Sequence, residues 1–154
     1  INPELKPTSS TIYPGMIVQA YHGNWAITVH KTAFRLLLMD DNELVKSYPI
    51  AIGREGRTPT GIFRVTEKLR EPVWTPPGRV IPYGDPENVL GTRWLGLKPA
   101  EGTDPTLKGY GIHGTWEPES IGTAASEGCV RLTNKHVEEL YDIVPAGTRV
   151  VIRD

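Results

Sequence analysis

The chain has 154 residues, a formal net charge of −1, 38% hydrophobic and 23% charged residues, which suits one domain that buries its own core and shows no charge bias toward nucleic acid or anionic membrane. Sixteen glycines and fourteen prolines argue for many turns and a mainly β, loop-rich architecture rather than a helical bundle. One cysteine excludes an internal disulfide, and no apolar run approaches the ~20 residues of a membrane-spanning helix.

Residues 1–15 are polar and rich in Pro, Ser and Thr, and read as a linker. Asn2-Pro3-Glu4-Leu5 followed by Tyr13-Pro14-Gly15 resembles the closing segment of a LysM peptidoglycan-binding module, so this stretch is expected to be the remnant of a preceding wall-binding module. The chain opens on Ile1 without a secretory leader and is expected to be a processed piece, with the principal domain over 16–154. Strands are predicted at Met16–Ala20, Trp25–His30 and Phe34–Met39. Asp40-Asp41-Asn42 then turns the chain into a strand over Leu44–Ile52, where Pro49 predicts an edge or a bulge. Gly53–Gly56 and Thr58–Gly61 form a glycine-bearing loop that lacks the Gly-Lys-Ser/Thr ending of a phosphate loop. Ile62–Thr66 is another strand.

Five prolines and weak periodicity between Arg70 and Gly91 mark a long loop, of the kind that serves as a lid or a binding loop. Trp74 within it reads as a substrate platform or a hydrophobic plug. Arg93–Leu97 resumes a strand, and Pro118 can open a short helix. The principal helix is predicted to start at Asn134 as N-cap, with Val137, Leu140, Tyr141 and Val144 at i, i+3, i+4 and i+7. Pro145-Ala146-Gly147 ends it, and Thr148–Ile152 is the last strand. The expected fold is mainly β, a sheet-rich sandwich with one principal helix near the C-terminus.

The chemistry concentrates in Gly109–Thr115 and Ser126–Leu132, which hold His113 and Cys129. A thiol with a pKa near ~8.5 is mostly protonated at neutral pH and needs a base before it attacks a carbonyl. An imidazole within reach takes that proton and returns it to a leaving amine, provided a third group orients the ring. Glycine beside Cys129 lets backbone amides approach a developing oxyanion. His22, His30 and His136 read as surface residues, and a metal site of His113, Cys129 and Glu127 lacks a paired spacing signature. No metal or cofactor is expected.

The pattern Gly111-Ile112-His113-Gly114-Thr115 followed by Ser126-Glu127-Gly128-Cys129-Val130-Arg131-Leu132 resembles the signature of the L,D-transpeptidase catalytic domain, also called the YkuD-type fold. Tyr48–Gly53 with Thr58–Gly61, Pro118–Gly122 and Val144–Val150 are similar to further segments of that family in the same order, so the resemblance covers roughly Trp25 to Ile152. It implies Cys129 as nucleophile, His113 as base, the Gly114 carbonyl as the group orienting the ring, and the Gly128 and Cys129 amides as oxyanion donors. Arg131, Trp74, Trp116, Ser126 and Glu127 are the candidates for substrate binding, with Arg131 either placing a substrate carboxylate or bracing the site. Ser126 and Thr115 read as more structural than chemical. Glu127 departs from the His, Ser, Ala or Lys common there, and either turns inward against the thiolate or faces solvent.

The resemblance implies a peptidoglycan L,D-transpeptidase, outside the cytoplasm at the wall, joining donor and acceptor stem peptides through a cysteinyl thioester. An L,D-carboxypeptidase would use the same residues with water as acceptor, and a silent wall-binding module is a second alternative. The sequence specifies neither the acceptor nor an oligomeric state.

Overall fold

The computed structural model describes residues 23–154. The linker or module remnant at 1–15, the strand expected at Met16–Ala20 and His22 lie outside those residues. Among the described residues there are ten strands: β1 (Trp25–His30), β2 (Arg35–Asp40), β3 (Glu43–Pro49), β4 (Ile52–Gly53), β5 (Gly61–Arg70), β6 (Arg93–Ala100), β7 (Gly111–His113), β8 (Ala124–Ser126), β9 (Val130–Arg131) and β10 (Arg149–Arg153), with one helix, α1 (Asn134–Ile143). Eight form one sheet in the order β3-β2-β1-β10-β5-β6-β7-β9, and β4 pairs with β8 in a small parallel ladder.

The period-2 pattern of the strands decides which side each residue faces. Ile27 and Val29 of β1, Leu36 and Leu38 of β2, Phe63 and Val65 of β5, and Leu95 of β6 are all fully buried in a single cluster. Strands from one end of the sheet to the other therefore enclose one core, and the sheet curls to do so. Each large aliphatic or aromatic side chain buried this way contributes roughly 1.5–3 kcal/mol. The curl brings the two edges together: Ala51, just beyond β3, exchanges both backbone hydrogen bonds with Arg131 of β9, each 2.9 Å. Mainly β with one C-terminal helix is thus the fold, as the sequence predicts.

Local residue choices explain the details. Asp41 and Asn42 take φ of 48° and 67°, the left-handed pair that a tight hairpin between β2 and β3 requires. Pro49 closes β3, which among the described residues pairs only with β2 and lies at the sheet's edge. The helix differs from expectation by one residue: Thr133 is its N-cap, accepting from the His136 amide at 3.3 Å. Val137 and Leu140 turn into the core. Pro118 opens only a single 3-10 turn, Pro118–Ser120. β5 and β6 each run past the predicted ends, to Arg70 and Ala100.

The 70–91 stretch has no regular element beyond a bridge between Trp74 and Ile81, bonded in both directions at 2.9 and 2.8 Å. Asn88, 1% exposed, gathers the segment from within. That amide donates to the carbonyls of Pro72, Ile81 and Pro82 and accepts from the Leu90 amide at 3.0 Å. A satisfied side chain thus supplements the few backbone bonds that the prolines leave.

Candidate active site

The site lies where β7 and β9 run parallel, with Ile112 opposite Val130 and His113 opposite Arg131. Ile112 and Val130 point into the core. Alternation then puts His113, Arg131 and Cys129, two residues before Arg131, together on the other face. Trp94 of β6 pairs with His113 and stacks on its ring, with centroids 5.9 Å apart and planes 23° apart.

His113 is 3% exposed, and its Nδ1 lies 2.6 Å from the Gly114 carbonyl oxygen. A carbonyl only accepts, so Nδ1 carries the proton and Nε2 of the neutral ring keeps a free lone pair. Gly114 has no room for a side chain: a Cβ there would stand 2.1 Å from the Asn134 Oδ1 and 3.1 Å from a Val137 methyl. Asn134 Oδ1 accepts from the Thr92 amide at 3.2 Å, so its side chain holds the end of the long loop while packing against Gly114. The sequence reads Asn134 as a cap; the helix is capped by Thr133, and the Asn134 side chain bonds the Thr92 amide instead.

Burial pushes the His113 imidazole down to about 4; the carbonyls of Gly114 and Leu90 favour the charged ring, and the Arg131 guanidinium opposes it. Burial likewise pushes the Cys129 thiol up to about 11, against the Gly111 amide and the Arg131 charge, which both favour thiolate. At neutral pH the resting pair is therefore thiol plus neutral imidazole, not an ion pair. That state suits a base that takes the proton as attack proceeds. The thiol lies 3.7 Å from the Gly109 carbonyl and lines a cleft of about 410 Å³ with Trp74, Trp94, Leu69, Val73 and Leu90 among its walls.

The remaining candidates sort by contact. Trp74, half-buried, is a wall of the thiol's own cleft. Trp116 is 51% exposed, with its ring 6.2 Å from that of Tyr83. Arg131 borders a separate small pocket of about 60 Å³ with Trp116 and Asn88, and pairs with Glu117 at 3.4 Å. Thr115 accepts from the Glu117 amide at 3.0 Å and shapes a turn.

Ser126, grouped by the sequence with substrate-binding residues, commits its hydroxyl to its own loop. It donates to the Cys129 carbonyl at 2.6 Å and accepts from the Gly128 amide at 3.1 Å. The Gly128 amide is thereby occupied, which leaves the Cys129 amide as the better oxyanion donor of the two expected. Glu127 faces outward, 70% exposed, and pairs with both Arg54 and Arg57. It does not figure among the groups acting on the thiol. His136 is not a plain surface residue: its ring meets Tyr48 edge-on at 5.3 Å and its Nδ1 is buried. Among the described residues, no group of three or more His, Cys, Asp and Glu side chains gathers as metal ligands do.

A thiol and an anchored, buried imidazole on one face of a curled sheet form the kind of site that supports nucleophilic acyl transfer. The sequence model of the L,D-transpeptidase catalytic domain matches residues 24–152, and the chain belongs to that family. YqjB of Bacillus subtilis strain 168, named as an L,D-transpeptidase, is 40% identical over 133 residues, covering 86% of this chain and 73% of that protein. YkuD of the same strain, named likewise, is 40% identical over 144 residues, covering 93% and 74%. Among solved structures, an L,D-transpeptidase from Mycobacterium tuberculosis superposes with a TM-score of 0.67 at 18% identity, over 86% of this chain and 58% of that one. The Ldtfm–avibactam carbamoyl enzyme gives 0.66 at 25% identity, over 85% and 49%. The chain thus spans about half to three-fifths of these solved chains.

Proposed function

We propose that this domain is a peptidoglycan L,D-transpeptidase working through a thioester on Cys129, outside the cytoplasm at the wall. The observation that carries the reading is the neutral His113 ring, anchored through Nδ1 to Gly114 and sharing a face with the thiol. The Cys129 sulfur attacks the carbonyl of the third residue of a donor stem peptide while His113 Nε2 takes the thiol proton. The Cys129 amide faces the oxygen that becomes anionic. As the carbonyl reforms, the C–N bond to the terminal D-Ala breaks, and the imidazolium returns its proton to the departing amine. An acceptor amine then attacks the thioester, gives a proton to His113, and releases the thiol with the new peptide bond made. Trp74 and the other walls of the cleft hold the donor, and Arg131 attracts a peptide carboxylate or braces the pair.

Incubating the protein with a disaccharide tetrapeptide tests this directly by intact mass. A tripeptidyl adduct on Cys129 and cross-linked dimer are expected. Tripeptide alone would make the domain an L,D-carboxypeptidase, and the absence of any adduct or product would leave a silent wall-binding module. The same thiol chemistry predicts one covalent adduct with a strained lactam such as a carbapenem.

A further inference from the structure

We propose that Thr58 is a positioning residue whose hydroxyl fixes the Gly128–Cys129 peptide so that the Cys129 amide faces the oxyanion; this rests on the thioester chemistry proposed above. Thr58 lies on the loop between β4 and β5, seventy residues from Gly128 in sequence, and is 1% exposed. Its Oγ1 accepts from the Gly53 amide at 2.7 Å, and donates to the Gly128 carbonyl at 2.8 Å. A hydroxyl has one proton, and the Gly53 amide supplies its own, so the Thr58 proton is assigned to Gly128 without ambiguity.

The geometry of the peptide unit does the rest. The described residues contain no cis bond, so the Gly128–Cys129 peptide is planar and trans, and its C=O and N–H leave in opposite directions. A carbonyl held inward by Thr58 therefore sets the Cys129 N–H outward. Glycine at 128 makes such a hold necessary. Its φ of 141° lies where only glycine is unstrained, and there the peptide can rotate with little steric opposition. The two loops are also in backbone contact: a Cβ on Gly53 would stand 2.7 Å from the Gly128 Cα. Ser126 holds the neighbouring Gly128 amide and Cys129 carbonyl. Two hydroxyls, one local and one distant, thus fix the peptides on both sides of the nucleophile. Deleting the distant one leaves a buried carbonyl without its donor, a cost the loop relieves by turning that peptide.

Iodoacetamide alkylation needs the thiol but no oxyanion site, whereas thioester formation needs both, so the two rates separate positioning from general damage. They are to be measured on Thr58→Val and Thr58→Ser in the full chain, with thioester formation from the tetrapeptide followed in a single turnover. Thr58→Val is expected to slow acylation by roughly 10–10²-fold, less than the loss of a whole donor, and to change alkylation by less than about threefold. Thr58→Ser should recover most of the lost acylation. Thr58→Ala supplies the same deletion if the valine variant does not fold. The amide resonance of Cys129 should shift in the deletion variants and return toward wild type in the serine variant. Unchanged acylation, equal loss of alkylation and acylation, or an unmoved Cys129 amide would each overturn the assignment. A wild-type protein that forms no thioester would instead overturn the transpeptidase reading, and the amide resonance would still test Thr58.

Discussion

Two regions border the thiol, and they are built by opposite rules. The β7–β9 side is buried and glycine-lined: His113, Gly114 and Thr115 are buried, and Ser126 and Gly128 are hydrogen-bonded to each other. The 70–91 side exposes apolar residues, with Val73 48% and Val80 73% accessible, and is held by the Trp74–Ile81 bridge and the buried amide of Asn88. The first region suits bond making, where small displacements of a base or a donor are costly. The second suits recognition, where a partly exposed apolar wall can accept a long peptide. Substitutions in the first should therefore act on the rate of the chemical step, and those in the second on substrate affinity.

Removing the proposed nucleophile gives the largest effect. Cys129→Ala should abolish thioester and product while leaving the melting temperature near that of the wild type, and turnover by the purified variant would remove the basis of the mechanism. His113→Gln is next, with acylation expected to slow by roughly 10²–10⁴-fold, the range for a positioned general base. If its turnover and alkylation match wild type, another residue is the base.

The same variant has a stability signature. The folded imidazole titrates near 4 instead of its ordinary 6.5. The unfolded chain therefore binds the proton first as pH falls. Stability from the neutral ring is complete above pH 6.5 and is lost between 6.5 and 4, by roughly 3 kcal/mol at most. His113→Gln should flatten that part of the acid unfolding curve, and an unaltered slope would contradict the burial account.

The contrast between regions is sharpened by Trp74→Ala. Truncating this half-buried wall should raise KM by about tenfold or less with a smaller change in kcat, as expected for lost apolar contact. A fall in kcat at unchanged KM would move Trp74 to the chemical side of the cleft. Glu127→Gln marks the smallest effect. The carboxylate is exposed and paired with Arg54 and Arg57, so its removal should cost less than about 1 kcal/mol of stability and leave the pH profile of alkylation in place. A displaced profile would show that the charge reaches the thiol after all.

Much of this was legible in the sequence because it is local. Alternating apolar residues at 25–30, a left-handed turn at Asp41-Asn42 and a proline at an edge all carry their cause within a few residues. That His113 and Cys129 would be the candidate pair was readable from motif chemistry and family resemblance, and the β7–β9 pairing places their segments side by side. What stayed hidden depends on side chains reaching across the fold. Thr133 and Asn134 are both good caps, and only the approach of Thr92 across the fold decides which one caps the helix and which one bonds the loop. Trp94 was visible as a strand residue, but its stacking on His113 requires the β6–β7 register. Glu127 could have faced either way until two arginines from the Gly53–Thr58 loop were brought beside it.

In the proposed mechanism a buried, neutral His113 delivers the Cys129 thiolate to a peptide carbonyl. Its most direct test is the pH dependence of single-turnover thioester formation on Cys129, followed by intact mass over the range where the domain remains folded. The imidazole held near 4 predicts that acylation persists through pH 5 to 6 and falls only on approach to that value. An acid limb with its midpoint at the ordinary histidine value of about 6.5, or an adduct on any residue other than Cys129, would contradict it.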